Sequence, residues 1–343
     1  KYLEYELFCE IRRAVDNESA RIRTTAASLA KLDCFLSLAE VAQQNNYVCP
    51  VIDCGDVLDI KNGRHPVVEK FVDDAYFVPN DAYLDTKNNR LMLITGPNMA
   101  GKSTYMRQNA LIILMAQLGS FVPASYARIG IVDKLFTRVG ASDDLASGQS
   151  TFMLEMKEVA YILGNATSRS FIVYDEIGRG TSTYDGMSIA RAVAEYTVGR
   201  KIGAKTMFAT HYHELTALEG EISGVVNYNI AAKKRGEDVT FLRKIVRGPT
   251  DDSYGIEVAR LAGVPGEVTK RARVILSELE GKKARAETRT EAAQSSASSS
   301  GAVSLSFGDM INEQVAEKIR KTDVNTLTPI EALNMIYELK KML

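Results

Sequence analysis

The segment Gly96-Pro97-Asn98-Met99-Ala100-Gly101-Lys102-Ser103 has the spacing GxxxxGK[ST], and that spacing describes a way of holding phosphate. Glycines let successive backbone N–H groups turn toward one anion, a lysine adds a positive charge on a flexible stem, and a hydroxyl can ligate Mg²⁺. A match arises by chance in roughly one chain per hundred of this length. The loop amides would cradle the α- and β-phosphates, and Lys102 would reach the β- and γ-phosphates. Ser103, with Thr104 beside it, would ligate Mg²⁺ at the start of a helix from Lys102 whose dipole favours the same negative charge.

Three further groups fit a phosphoryl-transfer site. Asp175-Glu176 closes the apolar run Phe171-Ile172-Val173-Tyr174. An acid at the end of a buried strand in such a protein is a second Mg²⁺ partner, held through water, and Glu176 would orient and activate the attacking water. The alternative is a solvated carboxylate pair at a strand end. His211 ends another run, Ala209-Thr210-His211, where it would sense the γ-phosphate or orient the water, with a structural histidine as the alternative. Finally, Ser142 to Met156 reads SDDLASGQSTFMLEM, a small-residue entry into an amphipathic helix. Its unpaired N–H groups make it a second place to hold an anion.

The elements that must position these groups follow from hydrophobic spacing. Leu3, Leu7, Ile11 and Ala14 share one helical face and Leu29, Leu32, Leu36 and Ala39 another, so 1–48 reads as two helices. From 49 onward short β-branched runs appear. LMLIT (91–95), FIVYDE (171–176) and KTMFAT (205–210) read as buried strands, alternating with helices from Lys102, at about 150–166 and at about 185–200. That alternation predicts an α/β fold with a mostly parallel sheet. Met153, Met156 and Leu163 would tie the 150–166 helix to the core. Residues 225–246 read as a hairpin turning at Lys233 to Asp238, and helix returns at 254–284 with a break at Val264-Pro265-Gly266. Residues 285–304, poor in large apolar side chains, read as a linker. Thr328-Pro329-Ile330-Glu331 is a capping box opening a helix in the 305–343 tail.

Composition narrows the function classes. The chain has 343 residues, enough for about two domains, and a formal net charge of −1 gives it no electrostatic footprint of a strong DNA binder. No apolar run approaches membrane-spanning length, and there is no signal peptide. Cys9, Cys34, Cys49 and Cys54 form neither a CxxC pair nor a zinc spacing, so the expectation is buried, reduced thiols in a cytoplasmic protein with no membrane partner. Lys1 at the start suggests a piece of a longer polypeptide.

TGPNMAGKSTYMRQ (95–108), GSFVPA (119–124), STFMLEM (150–156), DEIGRGTSTYDG (175–186) and ATHYHEL (209–215) together resemble the MutS family of DNA mismatch-repair ATPases. GRHPVVE (63–69) and SYGIEVARLAGVP (253–265) extend the resemblance over roughly 1–284. It implies a P-loop NTPase of the ABC-ATPase type, an ATPase that binds ATP/ADP with Mg²⁺ at two composite sites of a homodimer. It implies that adenine stacks on Phe77, unless that ring is plain core, and that Asn98 lies close to the phosphates. It implies that Gly178-Arg179-Gly180-Thr181 crosses between the two sites. Ser150 and the amides beside it would then meet the γ-phosphate bound by the partner subunit, which gives the second anion-holding helix start a purpose.

The resemblance also implies an organisation and a set of partners. Residues 1–48 would be a helical segment leading in from a DNA clamp outside this chain, 49–284 the ATPase domain with dimerisation helices, and 305–343 a small helical tail for tetramer formation. Mismatched double-stranded DNA would be bound through domains this chain does not contain, and MutL would be the downstream partner. Val303-Ser304-Leu305-Ser306-Phe307 is faintly similar to a sliding-clamp-binding peptide but lacks its Gln; packing on the tail helix is the alternative.

Overall fold

The structure is a computed structural model and describes residues 1–71, 77–97, 100–140, 150–235, 238–249 and 254–278. Asn98 and Met99 of the glycine-rich loop, the stretch 142–149, the 285–304 linker, the 303–307 peptide and the 305–343 tail lie outside the described residues. A first unit covers Lys1–Thr269. The described start of the second, 270–278, is helical.

Two helices open the chain, α1 (Tyr2–Asn17) and α2 (Ser19–Gln44), and only Ala42 in them is buried. Their apolar stripes, Leu3, Leu7 and Ile11 on one and Leu29, Leu32 and Leu36 on the other, are exposed. The strands follow in chain order as β1 (Val51–Asp53), β2 (Leu58–Gly63), β3 (Asn80–Leu84) and β4 (Leu91–Thr95). Helix α3 (Lys102–Gln117) leads to β5 (Tyr126–Gly130) and β6 (Leu135–Arg138). Then come α4 (Thr151–Asn165), β7 (Phe171–Asp175), α5 (Thr183–Val198), β8 (Lys205–Ala209) and the short α6 (Leu218–Glu221). The hairpin β9 (Val225–Arg235) and β10 (Asp238–Arg247) precedes α7 (Gly255–Leu261).

The strands form two sheets. A small one has the order β1-β5-β2-β3, and a six-stranded one has the order β10-β9-β4-β8-β7-β6. In the large sheet every pairing is parallel except β9 with β10. All five residues of β4 and of β8 are buried, as strands covered on both faces must be. Helix α3 runs between the two sheets, which is why a 16-residue helix can have nine buried residues. Met106, Ala110, Ile112 and Ile113 pack there against Leu58 and Ile60 of the small sheet and Met92, Val173 and Met207 of the large one. The opposite face of the large sheet is covered by α4 and α5, where Val159, Ile162, Ala190 and Val193 meet Leu93, Ile172, Tyr174 and Phe208.

Two sequence expectations need correcting. Met153 is exposed, and α4 buries Glu155, Val159 and Ile162, with Met156 and Leu163 packed alongside. At about 3.6 residues per turn that face lies nearly opposite Met153. The cysteines are free, but Cys34, Cys49 and Cys54 are exposed and only Cys9 is partly covered. Cys9 and Cys34 ride on helices that bury almost nothing, while Cys49 and Cys54 flank β1 at the edge of the small sheet. Among the described residues no helix is long and apolar enough to cross a membrane.

Candidate functional site

Strand order brings the chemistry together. β8 lies between β4 and β7, with Ala209 in register with both Ile94 and Asp175. The loops that leave the carboxyl ends of the three strands therefore open side by side, the place where parallel α/β sheets bind ligands. The first is the glycine-rich loop, in which Gly96 (φ 129°) and Gly101 (φ 111°) take backbone angles that only glycine adopts without strain. Pro97 is half-buried at the loop's mouth and Ala100 is fully buried beneath it. Gly101 is the N-cap of α3 and provides no side-chain cap, so the first N–H groups of that helix are left to an incoming anion.

Lys102 is 4% exposed, and its Nζ donates to the Gly96 carbonyl and lies 3.6 Å from Glu176 Oε1. Burial pushes its pKa down, against the pull of Glu176 and Asp175. Asp175 is pushed up by burial, while the Ser103 hydroxyl donates a hydrogen bond to its carboxylate and holds it down in part. Glu176 leaves β7 in a left-handed conformation (φ 55°), its N–H bonded to the Ala209 carbonyl and its Oε2 2.9 Å from Arg179 Nη1. Left-handed backbone is strained for a glutamate and directs this side chain off the strand line. His211 is exposed with its ring 4.1 Å from that of Tyr212; desolvation lowers its pKa, and Glu176 opposes that shift.

A cavity of about 700 Å³ joins Lys102, Ser103, Thr104, Asp175 and Glu176 on one wall to Thr151 and Glu155 of α4 on the other. Ser150 is outside its lining: it is exposed at the N-cap of α4, its Oγ accepting from the Phe152 N–H at 3.3 Å. A metal fits the donor set. Among the described residues no three His, Cys, Asp or Glu side chains cluster, but Mg²⁺ held with a nucleotide needs only one or two protein oxygens beside phosphates and water. Ser103 and Asp175, already hydrogen-bonded to each other, supply one hydroxyl and one carboxylate.

A second cavity, about 260 Å³, lies across α3 and is lined by Val68, Phe77, Thr104, Gln108 and Arg243. Phe77 is half-buried there. Arg243 (φ 54°) sits in a bulge of β10 that Asn80 clamps from both sides, its Nδ2 donating to the Arg243 carbonyl at 2.9 Å and its Oδ1 accepting from the Ile245 N–H at 2.8 Å. Bulges re-aim side chains, and this one brings a guanidinium to the cavity that holds Phe77.

An α/β core with a glycine-rich loop entering a helix and an acid pair at the end of another parallel strand of the same sheet defines a class that sequence comparison identifies. The family model described as MutS domain V matches residues 92–280, more than half of the chain, and the chain belongs to the MutS family. A second model, described as DNA mismatch repair protein MutS C-terminal region, matches 311–342. The DNA mismatch repair protein MutS of Acetivibrio thermocellus is 56% identical over 99% of this chain, and that of Caldicellulosiruptor bescii 55% over 98%. The protein of the same name from Lachnoclostridium phytofermentans is 63% identical over 81% of it. The chain spans 39% of the length of the first two relatives and 30% of the third.

Three side chains at these cavities went unmarked in the sequence. Arg243 depends on a bulge that no local pattern announces. Arg138 ends a four-residue edge strand, too short to read as a strand from periodicity. Glu155 did leave a signal: it falls at i, i+4, i+7 with Val159 and Ile162, a carboxylate set into an apolar stripe.

Proposed function

We propose that this chain is the nucleotide-binding and hydrolysing part of a MutS protein, a P-loop ATPase of the ABC type that binds ATP/ADP and works as a homodimer with composite sites. The observation that carries the reading is the convergence of Lys102, Ser103, Asp175 and Glu176 on one wall of a single cavity at the carboxyl ends of β4 and β7. The loop amides and the α3 N-terminus hold the phosphates, and Lys102 exchanges its contacts with Gly96 and Glu176 for the β- and γ-phosphates. Mg²⁺, held by Ser103 and through water by Asp175, would neutralise charge on the phosphates. Glu176 positions the attacking water and takes its proton, and His211, two residues past the end of the adjacent β8, orients the water or senses the γ-phosphate. The adenine stacks on Phe77, with Arg243 at the same cavity.

Ser150 and the amides of α4 meet the γ-phosphate held by the partner subunit, so hydrolysis needs two chains. In the intact protein, nucleotide state is coupled to mismatched DNA, bound through parts outside this chain, and to MutL. ATP hydrolysis measured against chain concentration tests the core of this reading. Specific activity should rise steeply with concentration, and Glu176→Gln should reduce turnover by roughly a hundredfold or more while ATP still binds. A flat rate that does not depend on Glu176 would overturn it.

A further inference from the structure

The loop that follows the catalytic strand is tied at a residue the reaction does not touch. Gly178 lies two positions beyond Glu176, and both of its backbone groups are taken by side chains from other elements. Its N–H donates to Glu155 Oε1 of α4 at 2.6 Å, and its carbonyl accepts from the Tyr212 hydroxyl at 3.0 Å, one residue past His211. Glycine is required there: φ is 87°, and a Cβ would stand 2.4 Å from the Gly186 carbonyl oxygen. Ile177 is 1% exposed, and the Glu176 N–H is anchored on Ala209. The three residues Glu176, Ile177 and Gly178 are thus held at both ends and in the middle. Gly180 rests on the same turn of α4, where an added Cβ would come within 3.0 Å of the Phe152 Cβ.

Glu155 is an expensive way to satisfy one amide. It is 5% exposed, and a neutral glutamine would accept the same hydrogen bond without burying a charge. Its charge is balanced by Arg138, itself 4% exposed, whose Nη2 lies 3.4 Å from Glu155 Oε2 and whose Nε lies 3.0 Å from Glu158. Arg138 pairs in register with Tyr174, and Tyr174 faces α4 and α5, so period-two alternation places the guanidinium under α4 and away from α3. Arg138 therefore fixes Glu155 to the sheet while Glu155 fixes Gly178 to α4.

We propose that Glu155 is a positioning residue that couples the two composite sites: it transmits the placement of the α4 start, whose Ser150 faces the partner's nucleotide, through Gly178 to the carboxylate of Glu176 at this chain's own P-loop. The inference rests on the hydrolytic reading above. A displacement of the first turn of α4 when its N-terminus engages an anion is passed to the Glu176 loop by one carboxylate and one amide. The Tyr212 hydroxyl holds the far side of the same peptide unit, so the segment carrying His211 is linked in.

The test measures steady-state hydrolysis and nucleotide affinity separately in Glu155→Ala, Glu155→Gln and Tyr212→Phe, with Lys102→Ala and Glu176→Gln alongside. Glu155→Ala should lower kcat by roughly tenfold or more with ATP affinity within about twofold of the parent, since misplacing a catalytic group by about 1 Å is enough for such a loss. Glu155→Gln, which keeps the acceptor for Gly178, should recover most of that loss. Tyr212→Phe removes one hydroxyl and leaves no buried charge, and it should lower kcat severalfold with affinity unchanged. Ser150→Ala should cost less in the Glu155→Ala background than alone, because the part carried through Glu155 is already lost while the direct contact of Ser150 with the partner's γ-phosphate remains to be removed. Parent-like kcat in Tyr212→Phe and Glu155→Ala, or equal losses in kcat and affinity with no rescue by Gln, would overturn the proposal. If Glu155→Ala does not fold, Tyr212→Phe decides. Turnover that survives both Lys102→Ala and Glu176→Gln would instead overturn the hydrolytic reading, a separate result.

Discussion

The two long helix starts around the large cavity are prepared in opposite ways. At the start of α3 a left-handed glycine leaves the first N–H groups without a side-chain cap, and the adjacent lysine is almost fully buried. At the start of α4 Ser150 caps its own helix, accepting from the Phe152 N–H, and the residue is exposed. A helix start that is uncapped and walled by charge is built around a ligand held by its own chain. One that is self-capped and open to solvent is complete without it, and can meet an anion presented from outside. In the composite site proposed above, the contrast assigns own-chain binding to the α3 start and the contact with the partner's nucleotide to the α4 start.

Breaking the α3 side should have the largest effect. Lys102→Ala removes a charged donor to phosphate, a loss of about 1.5–3 kcal/mol, so ATP affinity measured by equilibrium binding should fall by roughly 10- to 150-fold. Phe77→Ala sharpens the same side. Loss of base stacking should weaken ATP by about 1–3 kcal/mol while leaving inorganic triphosphate binding unchanged, a discrimination that binding competition can read. Ser150→Ala addresses the other side: its chain's own ATP affinity should hold, hydrolysis should fall by about tenfold, and thermal unfolding should report about 1 kcal/mol for the lost cap. In mixed dimers the loss should follow the site facing the altered serine. A loss that follows the altered subunit's own P-loop would break the comparison.

A third start gives the smallest effect. The short 3₁₀ turn Val68–Lys70 follows His65, whose Nδ1 accepts from the N–H groups of Val67 and Val68 at 3.2 Å each. Burial holds the His65 pKa below its ordinary value, and the nearby Arg107 charge adds to that. A histidine with a depressed folded pKa is neutral in the fold, and below the unfolded value of about 6.5 the unfolded chain binds the extra proton first. Stability should therefore be complete above about pH 6.5 and be lost as pH falls through and below it. Denaturant midpoints for the parent and His65→Gln should converge as the pH is lowered.

Residues whose role is set by local spacing were legible in the sequence. Strand β4, helix α3 after the glycine-rich run, Asp175 and Glu176 at the end of β7, and the α4 start all read correctly as elements because turn chemistry and hydrophobic period are local. Positions that depend on which face meets which layer were not. Met153 was assigned to the core by its type, although the phase of Glu155, Val159 and Ile162 sets the buried face. The cysteines were expected inside because free thiols usually are, yet two ride on helices with a single buried residue between them. Arg243 reaches the Phe77 cavity only through a bulge pinned by Asn80, more than 160 positions away in the chain.

Helix α2 has a mechanical consequence. Its 26 residues span roughly 39 Å, and its one buried residue, Ala42, lies at the carboxyl end. Arg64 secures that end, donating to the Asn45 carbonyl at 2.8 Å and pairing with Glu69 at 2.7 Å, a few residues before Val68 at the Phe77 cavity. Such a beam, held at its foot, would multiply displacement: a tilt of about 10° there would sweep the amino-terminal end through roughly 7 Å. Adjustments too small to repack the core beside the cavity would thus become, at the amino-terminal end of α2, movements as large as a side chain.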